Sequence, residues 1–142
     1  MLGRNSYTQA EYDHARKAVD QQLAAYKKLV KAIDGAGPDA KVAAALEGFE
    51  PLFLNNMTMV LDRYFVHRVR PVTGKDGNPL NEVELMTESL LNDGVFRANK
   101  VIKLDPDQSV AKIKFGDKIK LNVAQFEKLA KAFFAELEAK FM

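Results

Sequence analysis

The chain of 142 residues contains no cysteine, which excludes disulfide bridges and any zinc or iron–sulfur site with cysteine ligands. A domain of this length can bury enough apolar surface to fold without covalent cross-links, so the absence of cysteine favours a reducing, cytoplasmic compartment. Residues 1–8 are polar and lack the apolar segment of a secretory signal peptide, which also favours the cytoplasm.

The sequence also lacks a long uninterrupted apolar run and a large excess of charge. Its densest apolar stretch, residues 51–69, is interrupted by asparagine, aspartate, arginine and histidine, so we expect no membrane span. The net charge of +2 is small for a dedicated nucleic-acid-binding domain.

Recognisable catalytic and cofactor motifs are absent as well. The chain has no G-x-S-x-G nucleophile motif and neither the phosphate-binding nor the dinucleotide-binding glycine motif. The Glu-x-x-His spacing of di-iron bundles occurs once, at Glu11 and His14, whereas such a site needs it on two helices. We therefore expect no catalytic residue, no cofactor and no metal, and a non-enzymatic role is favoured.

The residues that are present predict a helical protein. With 47% hydrophobic and 28% charged residues, the composition is that of a single globular domain over residues 1–142. Thr8 and Glu11 have the spacing of a capping box, and apolar residues then recur with a helical period, which predicts a first helix over residues 9–33. The pattern along the chain predicts a mainly α (α+β) fold with about four helices and a small β-hairpin before the last helix.

Two asparagines predict the starts of the third and fourth helices. Asn81 is followed by Glu84, and Asn122 is followed by Gln125, in both cases at the three-residue spacing of a capping box. Replacing either asparagine by alanine is expected to cost about 1 kcal/mol of stability through the lost cap.

The second helix is predicted to begin near residues 37–39 and to be long and kinked at Pro51, because proline lacks the N–H of a helical hydrogen bond. From residue 52 to residue 69, apolar side chains cover most of its circumference. Such a helix is central in its own core, shared with a partner subunit, or part of the wall of a ligand pocket. An ordinary core is the first interpretation, a dimer interface comes close behind it, and a pocket wall is third. As a partner, we expect a second copy, in a homodimer with an interface on this helix formed by Phe53, Met57, Val60 and Tyr64.

Apolar and polar residues alternate strictly at 111–115 and again at 118–121, which predicts a β-hairpin at about 110–121. An isolated hairpin is marginal in water, so this one is expected to pack on the helices. A β-ribbon that carries lysines can bind nucleic acid, although lysines on a hairpin also keep sheet edges from pairing. The lysines on its outer face are Lys112, Lys114, Lys118 and Lys120.

A second candidate site lies on the polar stripe of the second helix. Arg63, His67 and Arg70 follow one another at about one helical turn, and Lys75 lies in the turn-rich loop that comes next. This cluster of cationic side chains predicts a binding site for a small ligand or an anion.

Residues 55–68 and 73–84 resemble a family of small uncharacterised actinobacterial proteins, and the similarity extends to Gly116, Asp117 and the last helix. The resemblance implies a bacterial, cytoplasmic origin and carries no activity, cofactor or catalytic residue over to this chain. The leading hypothesis is a protein that works by self-association or by binding a protein partner. Anion binding and nucleic-acid binding are the alternatives.

Overall fold

Four α-helices account for the regular structure of the computed structural model, which describes residues 6–65 and 70–142. In chain order they are α1 (Gln9–Gly35), α2 (Ala40–Tyr64), α3 (Pro79–Leu90) and α4 (Val123–Phe141). Short 3₁₀ turns occur at Arg70–Thr73 and at Pro106–Gln108. The predicted set of four helices is confirmed.

The starts of α1 and α4 are capped as the sequence predicts. Thr8 accepts the backbone N–H of Glu11 at 3.2 Å, and the Glu11 carboxylate accepts the backbone N–H of Thr8 at 3.3 Å. Asn122 and Gln125 form the same reciprocal pair, at 2.8 and 3.1 Å. Each pair satisfies N–H groups that the first turn of a helix leaves without an intrahelical partner.

We expect Asn122→Ala to lower the free energy of unfolding by about 1 kcal/mol, because one backbone N–H of the first turn of α4 loses its acceptor. Urea unfolding followed by circular dichroism measures the loss. Asn122→Ser keeps a capping oxygen and is the matched control, which should unfold like the original protein. Equal stability of the alanine and serine variants would contradict the expected role of the cap.

α2 begins after Asp39, whose side chain accepts the backbone N–H groups of Lys41 and Val42. Pro51 lies inside this helix, as predicted, and the helix continues through it to Tyr64 without being split. Residues 66–69, which belong to the predicted apolar stretch, lie outside the described part of the chain.

The predicted start of the third helix is wrong by three residues. Asn78 caps α3 by accepting the backbone N–H of Asn81 at 3.0 Å, and Pro79 occupies the first helical position, where no N–H is needed. Asn81 lies within the first turn and is fully buried, with its side-chain amide donating to backbone carbonyls of residues 73–76.

One apolar core joins the four helices, and α4 supplies a large share of its big side chains. Tyr7 donates its backbone N–H to the carbonyl of Phe141 at 2.9 Å, and Tyr12 donates its hydroxyl to Glu138 at 3.2 Å. The start of α1 therefore lies beside the end of α4, and the two helices run antiparallel. The largest fully buried hydrophobic side chains are Phe96, Phe126, Phe133, Leu54, Met57, Leu61, Leu85, Met86, Leu121, Leu129 and Leu137.

The predicted β-hairpin at about 110–121 is wrong. No β-strand forms within residues 6–65 and 70–142, and only isolated bridges occur there. The second half of the expected hairpin pairs with an earlier segment, since Ile119 donates its N–H to Gly94 at 2.8 Å and Phe96 donates its N–H to Asp117 at 2.9 Å.

The first half of the expected hairpin does not form a strand because its backbone is engaged elsewhere. The Glu82 carboxylate on α3 accepts the N–H groups of Val110 and Ala111, at 2.8 and 2.9 Å. Lys112 has φ of 54°, a left-handed conformation that interrupts an extended chain. The alternation still predicts burial correctly, and the buried apolar members are Ala111, Ile113, Ile119 and Leu121.

Candidate functional site

The residues of the predicted anion site are only partly described. Arg63 is exposed in the last turn of α2, and Lys75 is exposed in the loop before α3, where its carbonyl accepts the N–H of Lys103 at 2.6 Å. His67 lies outside the described residues, and Arg70 begins a 3₁₀ turn with its side chain outside the described part. A convergence of these four side chains therefore stays a prediction.

The four lysines assigned to the hairpin are exposed, but they do not lie on a β-ribbon, because that ribbon does not form. Lys112 donates its ammonium group to the backbone carbonyl of Asp107 at 2.8 Å. Lys118 and Lys120 border a groove of about 600 Å³ against the α2 residues around Pro51. Asn55 ties that lysine segment to α2, since its side chain donates to the carbonyl of Ile119 at 2.8 Å.

The side chains predicted to form a dimer interface lie in or against the core of the chain itself. Met57 is fully buried, and Phe53 and Tyr64 are partly buried against the same core. Val60 is also only partly exposed. The apolar circumference of the second half of α2 is therefore largely covered by the chain's own core.

The first half of α2 and the second half of α1 form a less covered unit, which we call the arm (residues 24–52). Tyr26 is the only buried residue within it. Large apolar side chains are exposed along the arm, with Leu29 at 49%, Phe49 at 46% and Leu52 at 68% exposure. The arm therefore presents apolar surface that the rest of the described chain does not cover.

Three aromatic rings from α1 and α2 pack together where the arm joins the rest of the chain. The Tyr26 ring stacks on Phe53 at 5.0 Å between centroids, and Phe49 stacks on Phe53 at 5.8 Å. The Tyr26 hydroxyl donates to the Glu50 carboxylate at 2.9 Å. Burial and this hydrogen bond raise the pKa of Tyr26 to about 12, so the hydroxyl remains a donor at neutral pH.

The large exposed apolar residues of the arm, together with four of its exposed alanines, follow coiled-coil spacing, with alternating steps of three and four residues in two rows. We call this set the arm face. Its first row consists of Ala25, Leu29 and Ala32 on α1 and of Ala36, which follows the end of α1. Its second row, on α2, consists of Val42, Ala45, Phe49 and Leu52.

Both rows of the arm face lie on the same side of the arm. Tyr26 on α1 contacts Glu50 and Phe53 on α2, and Leu46, which is half-buried, lies on the same stripe of α2 four positions before Glu50. The face residues Leu29 and Phe49 come three positions after Tyr26 and Leu46. The two rows are thus rotated in the same sense about their helices. In an antiparallel pair of right-handed helices, that rotation brings both rows to one side.

The described residues contain no group of three or more histidine, aspartate or glutamate side chains that could hold a metal ion. No helix within residues 6–65 and 70–142 is long and apolar enough to cross a membrane. No protein family, curated protein or solved structure matches the chain.

Sequence reasoning missed the arm face, although its spacing is visible in the sequence. The most hydrophobic stretch of the sequence comes after Pro51, and it is hydrophobic because its residues form the core. The arm face consists half of alanines, which contribute weakly to hydropathy, and only the three-and-four spacing distinguishes it.

Proposed function

We propose that this protein is non-enzymatic and works by association, holding another polypeptide against the arm face. The observation that carries the proposal is the exposure of Leu29, Phe49 and Leu52 in coiled-coil register on one side of two adjacent helices. Coiled-coil spacing on an exposed surface is the pattern by which helices recognise other helices.

The grouping of these residues, more than their exposure, distinguishes them from other surface apolar side chains. Single exposed apolar residues are common on soluble proteins and need no function. Leu91, at 73% exposure, follows the end of α3 and belongs to no such row. Covering a large apolar side chain fully contributes about 1.5–3 kcal/mol, so covering several together can stabilise a complex.

The sequence supports a cellular location and an origin for this association. The absence of cysteine supports a cytoplasmic location, and the resemblance of residues 55–68 and 73–84 supports a bacterial origin. A homodimer is the simplest form of such association, because symmetric dimers are the commonest soluble oligomers.

Site-specific photo-crosslinking in cells that produce the full chain tests this proposal. A benzophenone amino acid replaces Leu52 in one variant and Leu91 in the control, since the two positions are 68% and 73% exposed. We expect discrete crosslinked polypeptide adducts from position 52 and none from position 91. No adduct from position 52, or equal yields from both positions, would contradict association through the arm face.

A further inference from the structure

We infer that a cavity between the start of α1 and the end of α2 binds a small methylated ammonium ion, of the kind represented by a trimethylammonium group. This cavity lies at the end of the two helices opposite to the arm, so the inference is separate from the proposed function. Its volume is about 200 Å³. It is lined by Tyr7, Glu11, His14, Ala15, Tyr64 and Phe65.

The walls of the cavity are held in place by the core. The Tyr7 hydroxyl donates to the carbonyl of Phe65 at 3.0 Å, and the two rings lie edge to face with their centroids 4.7 Å apart. The Phe65 ring packs in turn on Phe133, at 5.9 Å between centroids. Because Tyr7 and Phe65 are only 9% and 4% exposed, their rings are fixed before a ligand arrives. A preformed site binds without the cost of ordering its walls.

The volume of the cavity suits a group of the size of trimethylammonium. A water molecule takes up about 30 Å³ in the liquid, so a cavity of about 200 Å³ has room for roughly six or seven non-hydrogen atoms. Ala15, which is 1% exposed, contributes only a methyl group to the lining, and this small side chain leaves space between the two helices. The cavity therefore fits a compact ligand and excludes a large one.

Aromatic rings and a carboxylate together favour a cation over a neutral ligand. Three of the lining residues, Tyr7, Tyr64 and Phe65, are aromatic, and aromatic rings attract cations to their faces. Glu11 adds a carboxylate in the first turn of α1. Its charge exceeds the partial positive charge of about half a unit at the start of a helix. The cavity thus combines negative charge with an aromatic lining.

The aromatic rings next to the cavity already hold a cation of the chain itself. The Arg16 guanidinium lies 6.0 Å from the centroid of the Tyr12 ring and 5.8 Å from that of Phe134. Phe134 in turn contacts Phe65, at 6.2 Å between centroids. Contacts between cations and rings are therefore a feature of this part of the core, and the cavity offers neighbouring rings to an external cation.

The supply of hydrogen-bond acceptors favours a methylated ammonium over a primary one. A primary ammonium carries three donors that need acceptors. The Oε2 atom of Glu11 already accepts the backbone N–H of Thr8 at 3.3 Å. A trimethylammonium group needs no acceptor, and its methyl groups pack directly on aromatic rings. The same group occurs in free choline and in a trimethylated lysine of a polypeptide.

A chemical-shift titration of the ¹⁵N-labelled full chain with choline chloride tests the site. The titration is made at pH 8, where histidine side chains are neutral, and sodium chloride keeps the ionic strength constant. We expect the amide signals of Ala15 and Phe65 to shift, with a dissociation constant of about 1 mM or lower. The control ligand, 3,3-dimethylbutanol, has the shape of choline without its charge and should bind at least about 10-fold more weakly. Equal affinities, or no shift of either signal with about 20 mM choline, would overturn the inference.

Two pairs of variants separate the roles of the charge and of the ring. Glu11→Gln keeps a capping oxygen and removes the charge, so it should raise the dissociation constant for choline about 5-fold or more. Glu47→Gln, at an exposed position of α2, is its matched control and should change nothing. Tyr64→Leu removes the ring and should weaken binding about 10-fold, whereas Tyr64→Phe should bind like the original protein. Unchanged binding in both Glu11→Gln and Tyr64→Leu would contradict the assigned site.

A short peptide that contains trimethyllysine, titrated in the same way, distinguishes the two sources of the group. Tighter binding of choline identifies a free small molecule as the ligand, and tighter binding of the peptide identifies a methylated polypeptide. Either result supports a site for methylated ammonium. None of these measurements depends on residues 24–52, so failure of this site and failure of the arm face are distinguishable.

Discussion

Replacing Glu82 by alanine should lower the free energy of unfolding by about 3 kcal/mol, because two backbone N–H groups then lose their acceptor in the interior. The side chain of Glu82 is only 1% exposed, and its two oxygens accept the N–H groups of Val110 and Ala111. Urea unfolding at pH 7 measures the loss. Glu47→Ala, at an exposed position of α2, is the control and should change stability little.

Protonation of Glu82 contributes stability at low pH that decreases as the pH rises. Burial raises the pKa of the Glu82 carboxyl above its ordinary value of 4.5, although the two N–H groups and Lys112 oppose the rise. The folded state therefore binds a proton more tightly than the unfolded state. The part of the contribution of Glu82 that depends on its protonation is largest below pH 4.5 and is lost as the pH rises through the raised pKa. The hydrogen bonds that its two oxygens accept remain at pH 7.

Measuring Glu82→Gln against the original protein isolates this titration, since glutamine keeps the size of the side chain and does not ionise. The free energy of unfolding of the original protein minus that of Glu82→Gln should be larger at pH 4.5 than at pH 7. A difference that grows with pH would show that the N–H groups of Val110 and Ala111 stabilise the carboxylate by more than burial disfavours it.

Replacing Asn81 by alanine should cost about 2–3 kcal/mol, more than the loss of a helix cap. Its side-chain amide is fully buried and donates to the carbonyls of Thr73, Gly74 and Asp76, at 3.1, 3.2 and 2.8 Å. These bonds hold the loop before α3 against the helix. Urea unfolding measures the loss, and the comparison is Asn122→Ala, which removes a cap at an exposed position and should cost about 1 kcal/mol.

Asn81→Asp is the sharper variant, because aspartate has nearly the same shape and cannot donate. It would direct a carboxylate at backbone carbonyl oxygens, so it should be at least as destabilising as Asn81→Ala. An Asn81→Asp variant as stable as the original protein would contradict the role assigned to the donated hydrogen bonds.

The features predicted correctly from the sequence are those decided by neighbouring residues. The capping boxes at Thr8 and Asn122 depend on contacts three positions apart, and the periodic apolar residues that follow them specify α1 and α4. The start of α3 was misplaced because Asn78 and Asn81 both suit a cap. The choice between them depends on the loop carbonyls that bury Asn81, and these lie up to eight residues away.

The predicted hairpin is wrong because groups distant in the sequence pair with its backbone. The alternation of apolar and polar residues indicates which side chains are buried, but not which groups bond to the backbone N–H and C=O of the segment. The carboxylate that occupies the N–H of Ala111 comes from Glu82, 29 residues earlier, and the carbonyl that pairs with Ile119 comes from Gly94. A side chain elsewhere in the fold thus competes successfully with the local strand pattern.

The candidate site could be predicted only in part. The spacing of the arm face is local and could be read from the sequence, but its exposure depends on where α4 and the lysine segment pack. Leucine is core at Leu54 and surface at Leu52, two positions apart on one helix. Helical periodicity gives the direction of each side chain and leaves open which direction faces the core.

The contact between Tyr7 and Phe141 has a consequence for how the protein is made. Their backbones bond at 2.9 Å and their rings lie 6.4 Å apart, so this part of the core joins segments separated by nearly the whole chain. Synthesis proceeds from the amino end, and closing so long a loop requires the final turns of α4. During translation the apolar stripe of α1, with Tyr12, Ala15 and Val19, therefore remains exposed until α4 has been synthesised.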